Sequence, residues 1–353
     1  MFILSIFLFA LHAGATDSSS DTSLHVNDPD AHYQRHLEWL QMGEVWRISR
    51  PYVRRKVKVA VLDSGIDWTD EDFASLKETV KKKSGGYLDG GWNFFTNSPD
   101  MTTVNRHGTN VCKILAAKGN NSYGMVGVAP DVTLIPLQVI DYDGTVSFPY
   151  FLAAIEMAID LEVDVVSMSF AFTLSRYNQT EQHLLWNALL TAQQHGILLV
   201  SSAGNEMTRA SDLYPCWFGG PLGICVAYLE DNRTHNVLRS FSNWGERVDV
   251  ATYGTNIFTG RDAAGELTYS NGSSYATPII AGVAAILLSM DVEVKMIKRL
   301  MLANVKPVSC LFPHLLPQTI RGGALDPLST IKHAISLIKP RSLRSTSEVG
   351  FGE

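Results

Sequence analysis

Apolar residues recur along this chain in two alternating rhythms: short, β-branched runs, and longer stretches spaced for one face of a helix. The segment from Val57 to Asp67 predicts a buried strand that ends in the carboxylate of Asp63 and a turn glycine, Gly65. Val132 to Ile140, Val163 to Ser169 and Ile197 to Ser202 read as further strands, with helical patterns over Tyr150 to Leu161 and Gln182 to His195 between them. Gly196 directly after His195 is placed as the helix C-cap. A helical pattern also opens at His107 and runs through Ile114, Leu115 and Ala116, and Ile279 to Leu288 is apolar enough to require burial. Such alternation implies an α/β fold with a mainly parallel central sheet covered by helices. In sheets of this kind ligands sit beyond the carboxyl ends of the strands, and Asp63, Ser169 and Asn205 all fall at or just past such ends, which predicts one shared cleft.

Composition narrows the field. The chain has 353 residues, 46% of them hydrophobic, enough to bury the core of one large α/β domain without a second. A formal net charge of −6 carries no basic footprint, so nucleic-acid binding is not expected, and Lys81-Lys82-Lys83 reads as a solvated face. Met1 to Ala15 is an apolar run too short to span a bilayer and closes on Ala13-Gly14-Ala15, a small-residue cleavage pattern, although it lacks the usual basic residue near its start. The expectation is a signal peptide over residues 1–15, a linker over 16–26, one domain over 27–338 and a tail over 339–353, with secretory localisation and no transmembrane anchor. Four cysteines in a secreted chain suit disulfides and allow three pairings. Cys216 with Cys225 is preferred, because the turn-rich loop between them can fold back, while Cys112 reads as a buried inert thiol and Cys310 is left open. Asn178-Gln179-Thr180 and Asn232-Arg233-Thr234 are glycosylation sequons.

Three segments carry candidate chemistry. Gly272-Ser273-Ser274-Tyr275-Ala276-Thr277-Pro278 sets a hydroxyl at the mouth of the buried helix, Asp63-Ser64-Gly65-Ile66 ends a strand in a carboxylate, and Asn105-Arg106-His107-Gly108-Thr109 opens a helix with an imidazole. Each alone has an ordinary structural reading as a cap, a strand-to-loop residue or a helix start. Together, in the chain order Asp, His, Ser, they resemble the subtilisin-like serine proteases, the subtilases, over about residues 27–337; Ser273 and Tyr275 depart mildly from the family pattern. The opposite chain order would be expected of an α/β-hydrolase esterase.

That resemblance implies a doubly wound, three-layer subtilisin-like fold and endopeptidase activity on proteins or peptides, through an acyl-enzyme on Ser274. His107 would act as general base and acid, Asp63 would orient it, and Asn205 in Ala203-Gly204-Asn205 would donate to the oxyanion together with the Ser274 backbone N–H. Ser169, Phe170 and Ala171 would pair with the substrate backbone and Gly144 would belong to the opposite wall. Ala203 and Gly204, in the segment before Asn205, would also bind substrate, and Leu213 would lie at the base of the specificity pocket, where the family often has a small or polar residue. The loop Asn120 to Met125 resembles a calcium loop, so Asp28, Asp72, Asn121, Tyr123 and Met125 are its expected ligands, with no organic cofactor. A monomer is implied. Subtilases are commonly made with an inhibitory, fold-assisting prodomain, and the stretch from Thr16 to His25 is too short to hold one, so a prodomain or inhibitor acting in trans is a further expected partner. A catalytically silent binding module is the rival reading, and the presence of Asp63, His107, Asn205 and Ser274 argues against it.

Overall fold

The computed structural model describes residues 23–101, 105–310 and 320–338. The signal peptide, most of the linker and the C-terminal tail expected from sequence lie outside those residues. Six strands form the centre of the molecule: β1 (Lys58–Asp63), β2 (Thr133–Gln138), β3 (Val165–Met168), β4 (Leu198–Ser202), β5 (Gly223–Leu229) and β6 (Val250–Tyr253). They run parallel in the spatial order β6-β5-β4-β3-β1-β2, within an eleven-stranded sheet whose remaining members are short edge pieces. After β1 the chain feeds the strand on one side, β2, and then crosses back to build β3, β4 and β5 on the other. This reversal opens a crevice outside the carboxyl ends of β1 and β3.

The sheet is parallel and covered on both faces because its strands are apolar on both faces: β2 through β6 are buried along their whole lengths. Alternation along β1 divides two cores. Val59 and Val61 pack with helices α1 (His107–Ala116) and α4 (Ser273–Ser289), whereas Ala60 and Leu62 pack with α2 (Phe148–Asp160) and α3 (Gln179–Gln194). The central helix α4 is buried from Ala276 through Leu288, which explains why it is apolar all round rather than along one stripe.

The element boundaries have local causes. β1 ends at Asp63 as expected, where the Ser64 N–H turns onto Asp63 Oδ1 (2.7 Å) and Gly65 takes φ +94°. α3 starts three residues before the expected Gln182, since Asn178 and Glu181 form a reciprocal capping box, with bonds of 3.0 and 2.9 Å. Asn178 of the first sequon is thus a helix cap. Gly196 follows α3 with φ +79°, as a C-cap glycine should. Cys216 is bonded to Cys225, and Cys112 and Cys310 are free thiols, Cys112 fully buried with its pKa pushed well up by that burial. Among the described residues no helix is long and apolar enough to cross a membrane.

His36, in the short helix Arg35–Trp39, is buried, and its Nε2 has no hydrogen-bond partner. Desolvation lowers its pKa to about 3. The unfolded chain therefore binds this proton near the ordinary imidazole pKa while the folded chain does not, and stability is lost as pH falls from there toward 3. Replacing His36→Leu should shrink the stability gap between pH 7.5 and pH 5.5 by about 1.4 kcal/mol, readable from urea unfolding at the two pH values. An unchanged gap would exclude His36 as the source.

Candidate active site

The carboxyl edge of the sheet gathers the residues singled out from sequence. Asp63 ends β1 with its side chain 1% exposed, and its Oδ1 lies 2.7 Å from His107 Nδ1. His107 is placed by the start of α1, where its backbone N–H donates to Asn105 Oδ1 (3.0 Å). Ser64 ties the two segments together: its hydroxyl donates to the Asn105 carbonyl (3.0 Å) and accepts the Gly108 N–H (2.9 Å). A Cβ on Gly108 would collide with the Gly65 carbonyl, so the approach of helix to strand end requires glycine there. Burial pulls the His107 pKa down, but the charge and hydrogen bond of Asp63 outweigh it and the net displacement is upward.

Ser274 is set by the first turn of α4. Gly272, at φ +144°, turns the chain into the helix, and Pro278 inside it has no N–H to give to the carbonyl four residues earlier. That carbonyl belongs to Ser274 and accepts instead from the Ser169 hydroxyl (2.8 Å), while the Ser274 hydroxyl donates to the Ser169 carbonyl (2.8 Å). The next residue, Tyr275, packs against the imidazole with ring centroids 5.5 Å apart, which brings the Ser274 segment against His107. Asn205 faces the same turn. Its Oδ1 accepts both the N–H (2.8 Å) and the hydroxyl (2.9 Å) of Ser273, which leaves Nδ2 as the end free to meet a ligand.

Ala203 and Gly204 lead into Asn205, and their loop is stiffened by Asn243. The Asn243 amide donates to the Ala203 carbonyl (2.9 Å) and accepts the N–H groups of Glu206 (3.0 Å) and Thr208 (2.9 Å). Gly204 has φ +96° and no room for a Cβ beside Asn243 and Glu206. The end of the Leu213 side chain reaches the same glycine, 3.3 Å from where that Cβ would stand. Leu213–Tyr214 pairs antiparallel with Phe172–Thr173, immediately after Ser169-Phe170-Ala171. Ser169, Phe170, Ala171, Ala203, Gly204 and Leu213 therefore lie on neighbouring segments at the carboxyl edge of the sheet. Phe170 is buried against Phe151 and Phe172, so it contributes packing and backbone rather than an exposed side chain. Gly144 sits apart, in an exposed turn in which Asp141 Oδ1 accepts the Asp143 and Thr145 N–H groups. Ser64, Tyr275 and Asn243 were not read as functional from sequence. Ser64 and Tyr275 adjoin motif residues, while Asn243 carries no local signal.

Of the expected calcium ligands, Asp28, Asp72 and Asn121 have their side-chain oxygens turned to other partners. Asp28 accepts the N–H groups of Asn120 (2.8 Å) and Asn121 (3.3 Å), and Asn121 Oδ1 accepts the Tyr123 N–H (3.0 Å). Asp72 accepts the Met125 N–H (3.2 Å) and lies 2.9 Å from Lys113 Nζ. Among the described residues there is no group of three or more His, Cys, Asp or Glu disposed to hold a metal. A hard cation needs its oxygen ligands converging on it, and at Asp72 the nearest positive charge is the Lys113 ammonium.

A parallel sheet with a carboxylate, an imidazole and a serine hydroxyl at its carboxyl edge is the framework of a serine peptidase. The model of the subtilase family matches residues 54–323, and the chain belongs to that family of subtilisin-type serine proteases. It is 30% identical over 253 residues to thermitase of Thermoactinomyces vulgaris, across 71% of this chain and 80% of that protein. It is 31% identical over 246 residues to subtilisin E of Bacillus subtilis, across 68% of this chain and 58% of that protein. The solved structure of a protease from Pseudoalteromonas arctica shares the fold, with a TM-score of 0.67 at 22% identity over 88% of this chain and 99% of that one.

Proposed function

We propose that the chain is an endopeptidase that hydrolyses peptide bonds through an acyl-enzyme on Ser274. The observation that carries this is the 2.7 Å contact of buried Asp63 with His107, whose imidazole packs against Tyr275, the residue after Ser274. With Nδ1 held by Asp63, the other ring nitrogen is the acceptor for the Ser274 proton once that hydroxyl turns from the Ser169 carbonyl. Asp63 keeps the tautomer and stabilises the imidazolium. The oxyanion is met by Asn205 Nδ2 and by the Ser274 N–H, which lies in the first turn of α4 where N–H groups have no intrahelical acceptor. Labelling with a fluorophosphonate tests the reading: the folded protein should label, and Ser274→Ala should not. Equal labelling of both would remove Ser274 as nucleophile.

Ser169 to Ala171 and Gly144 are the proposed walls for an extended peptide, with Ala203, Gly204 and Leu213 around the side chain that precedes the scissile bond. Leu213 fills space that glycine would leave open, so small residues should be preferred at that position. Leu213→Gly should widen acceptance to large side chains in a peptide-library cleavage profile, and an unaltered profile would remove Leu213 from the pocket. Secretion, a monomeric state and assistance by a prodomain or inhibitor in trans complete the proposal, supported by family membership.

A further inference from the structure

Lys113 stands six residues after His107 in α1, facing the loop that resembles a calcium site. Its side chain is 6% exposed, and its Nζ lies 2.9 Å from Asp70 Oδ2 and 2.9 Å from Asp72 Oδ2. The Asp72 side chain is 0% exposed. A carboxylate so buried requires a countercharge or it must take up a proton. Each partner is fixed in turn. Asp70 Oδ1 caps the turn Glu71–Phe73 by accepting the Asp72 N–H (3.1 Å), and Asp72 Oδ1 accepts the Met125 N–H (3.2 Å) at the end of the loop. A Cβ on Gly124 would collide with the Asp72 carboxylate, so the loop backbone closes directly onto it. On the other side Gly260, at φ +117°, passes so near that a Cβ there would stand 3.0 Å from Nζ. Four segments thus meet around the Lys113–Asp72 pair: the helix that begins with His107, the Glu71–Phe73 turn, the 120–125 loop and the strand Ile257–Arg261.

We propose that the Lys113 ammonium is the resident cation of this loop, binding Asp70 and Asp72 in place of a divalent metal, so that the loop and the His107 helix are joined without calcium. A divalent ion on Asp72 would meet the positive charge of Lys113 across the shared carboxylate, and repulsion between the two cations opposes its binding. Asp28 and Asn121 spend their side-chain oxygens on the loop's own backbone N–H groups.

Thermal unfolding of the full chain in the Ser274→Ala background, which prevents self-digestion, tests this in chelator and in millimolar calcium chloride. The unmutated loop should melt at the same temperature in both buffers to within about 1 °C, because a ligand that binds neither state shifts nothing. A calcium-reversible rise would overturn the proposal, and this arm does not depend on any loop variant folding. Lys113→Met should lower the midpoint on the order of 5–10 °C in chelator, as expected when one partner of a buried pair is left uncompensated. Adding Asp72→Asn to Lys113→Met should recover part of that shift, since the orphaned charge is then removed. A Lys113→Met protein that melts as the parent does, or independent additive losses in the double variant, would equally overturn it.

Discussion

Ser274→Ala and His107→Ala are each expected to lower turnover on a peptide substrate by roughly a millionfold, with far-ultraviolet dichroism and melting temperature close to those of the parent. The loss is large because the serine hydroxyl is a poor nucleophile until the imidazole removes its proton, and the imidazole has no other substrate to act on. Combining the two substitutions should cost little more than either alone, because the groups act as a unit. The same arrangement sets the acid limb of the rate profile. Asp63 holds the imidazolium, so His107 should become the inactive protonated form at a pH above the ordinary imidazole value, and kcat/KM should fall as pH decreases through that raised pKa. A profile flat through this range, or appreciable turnover by His107→Ala, would refute His107 as the base.

Asn205→Ala should lower kcat by roughly a hundred- to a thousandfold with little change in KM, the cost of one missing donor to a charge that exists only in the transition state. Its carbonyl end is held by Ser273, so the amide nitrogen is fixed before substrate arrives and needs no reorganisation when the oxyanion forms. Ser273→Ala should consequently produce a smaller loss of the same kind, because Asn205 then keeps only the backbone bond. Near-normal steady-state kinetics for Asn205→Ala would remove the side chain from the oxyanion site.

Much of this was legible along the chain. The periods of the apolar residues located β1 to β4, α2 and α3 to within a few residues, since burial on both faces of a parallel strand and the 3.6-residue repeat of a helix are local patterns. The earlier start of α3 was also written locally, in Asn178 and Glu181, a capping pair that the apolar period alone does not register. The helices Met42–Ser49, Val294–Ala303 and Pro327–Ile338 and the hairpin Ile257–Arg261 with Leu267–Ser270 were not identified from sequence.

Residue types and chain order by themselves determined the fold class, the family and the identity of Asp63, His107, Asn205 and Ser274 as candidates, because each lies in a short motif tied to an element end. Only the tertiary structure decided what those residues are held by. The exchange of hydrogen bonds between Ser169 and Ser274 joins positions 105 residues apart, and it exists because Pro278 frees a carbonyl that only a neighbouring strand end can satisfy. Lys113 has the local signature of an ordinary lysine in the last turn of a helix, where its charge would suit the dipole and face water. Its actual partners, Asp70 and Asp72, come from the turn that follows β1, and it is buried among segments whose meeting the order of residues does not reveal. Local periodicity reports which face of an element is covered, whereas the countercharge of a buried carboxylate is set by what long-range packing brings within 3 Å of it.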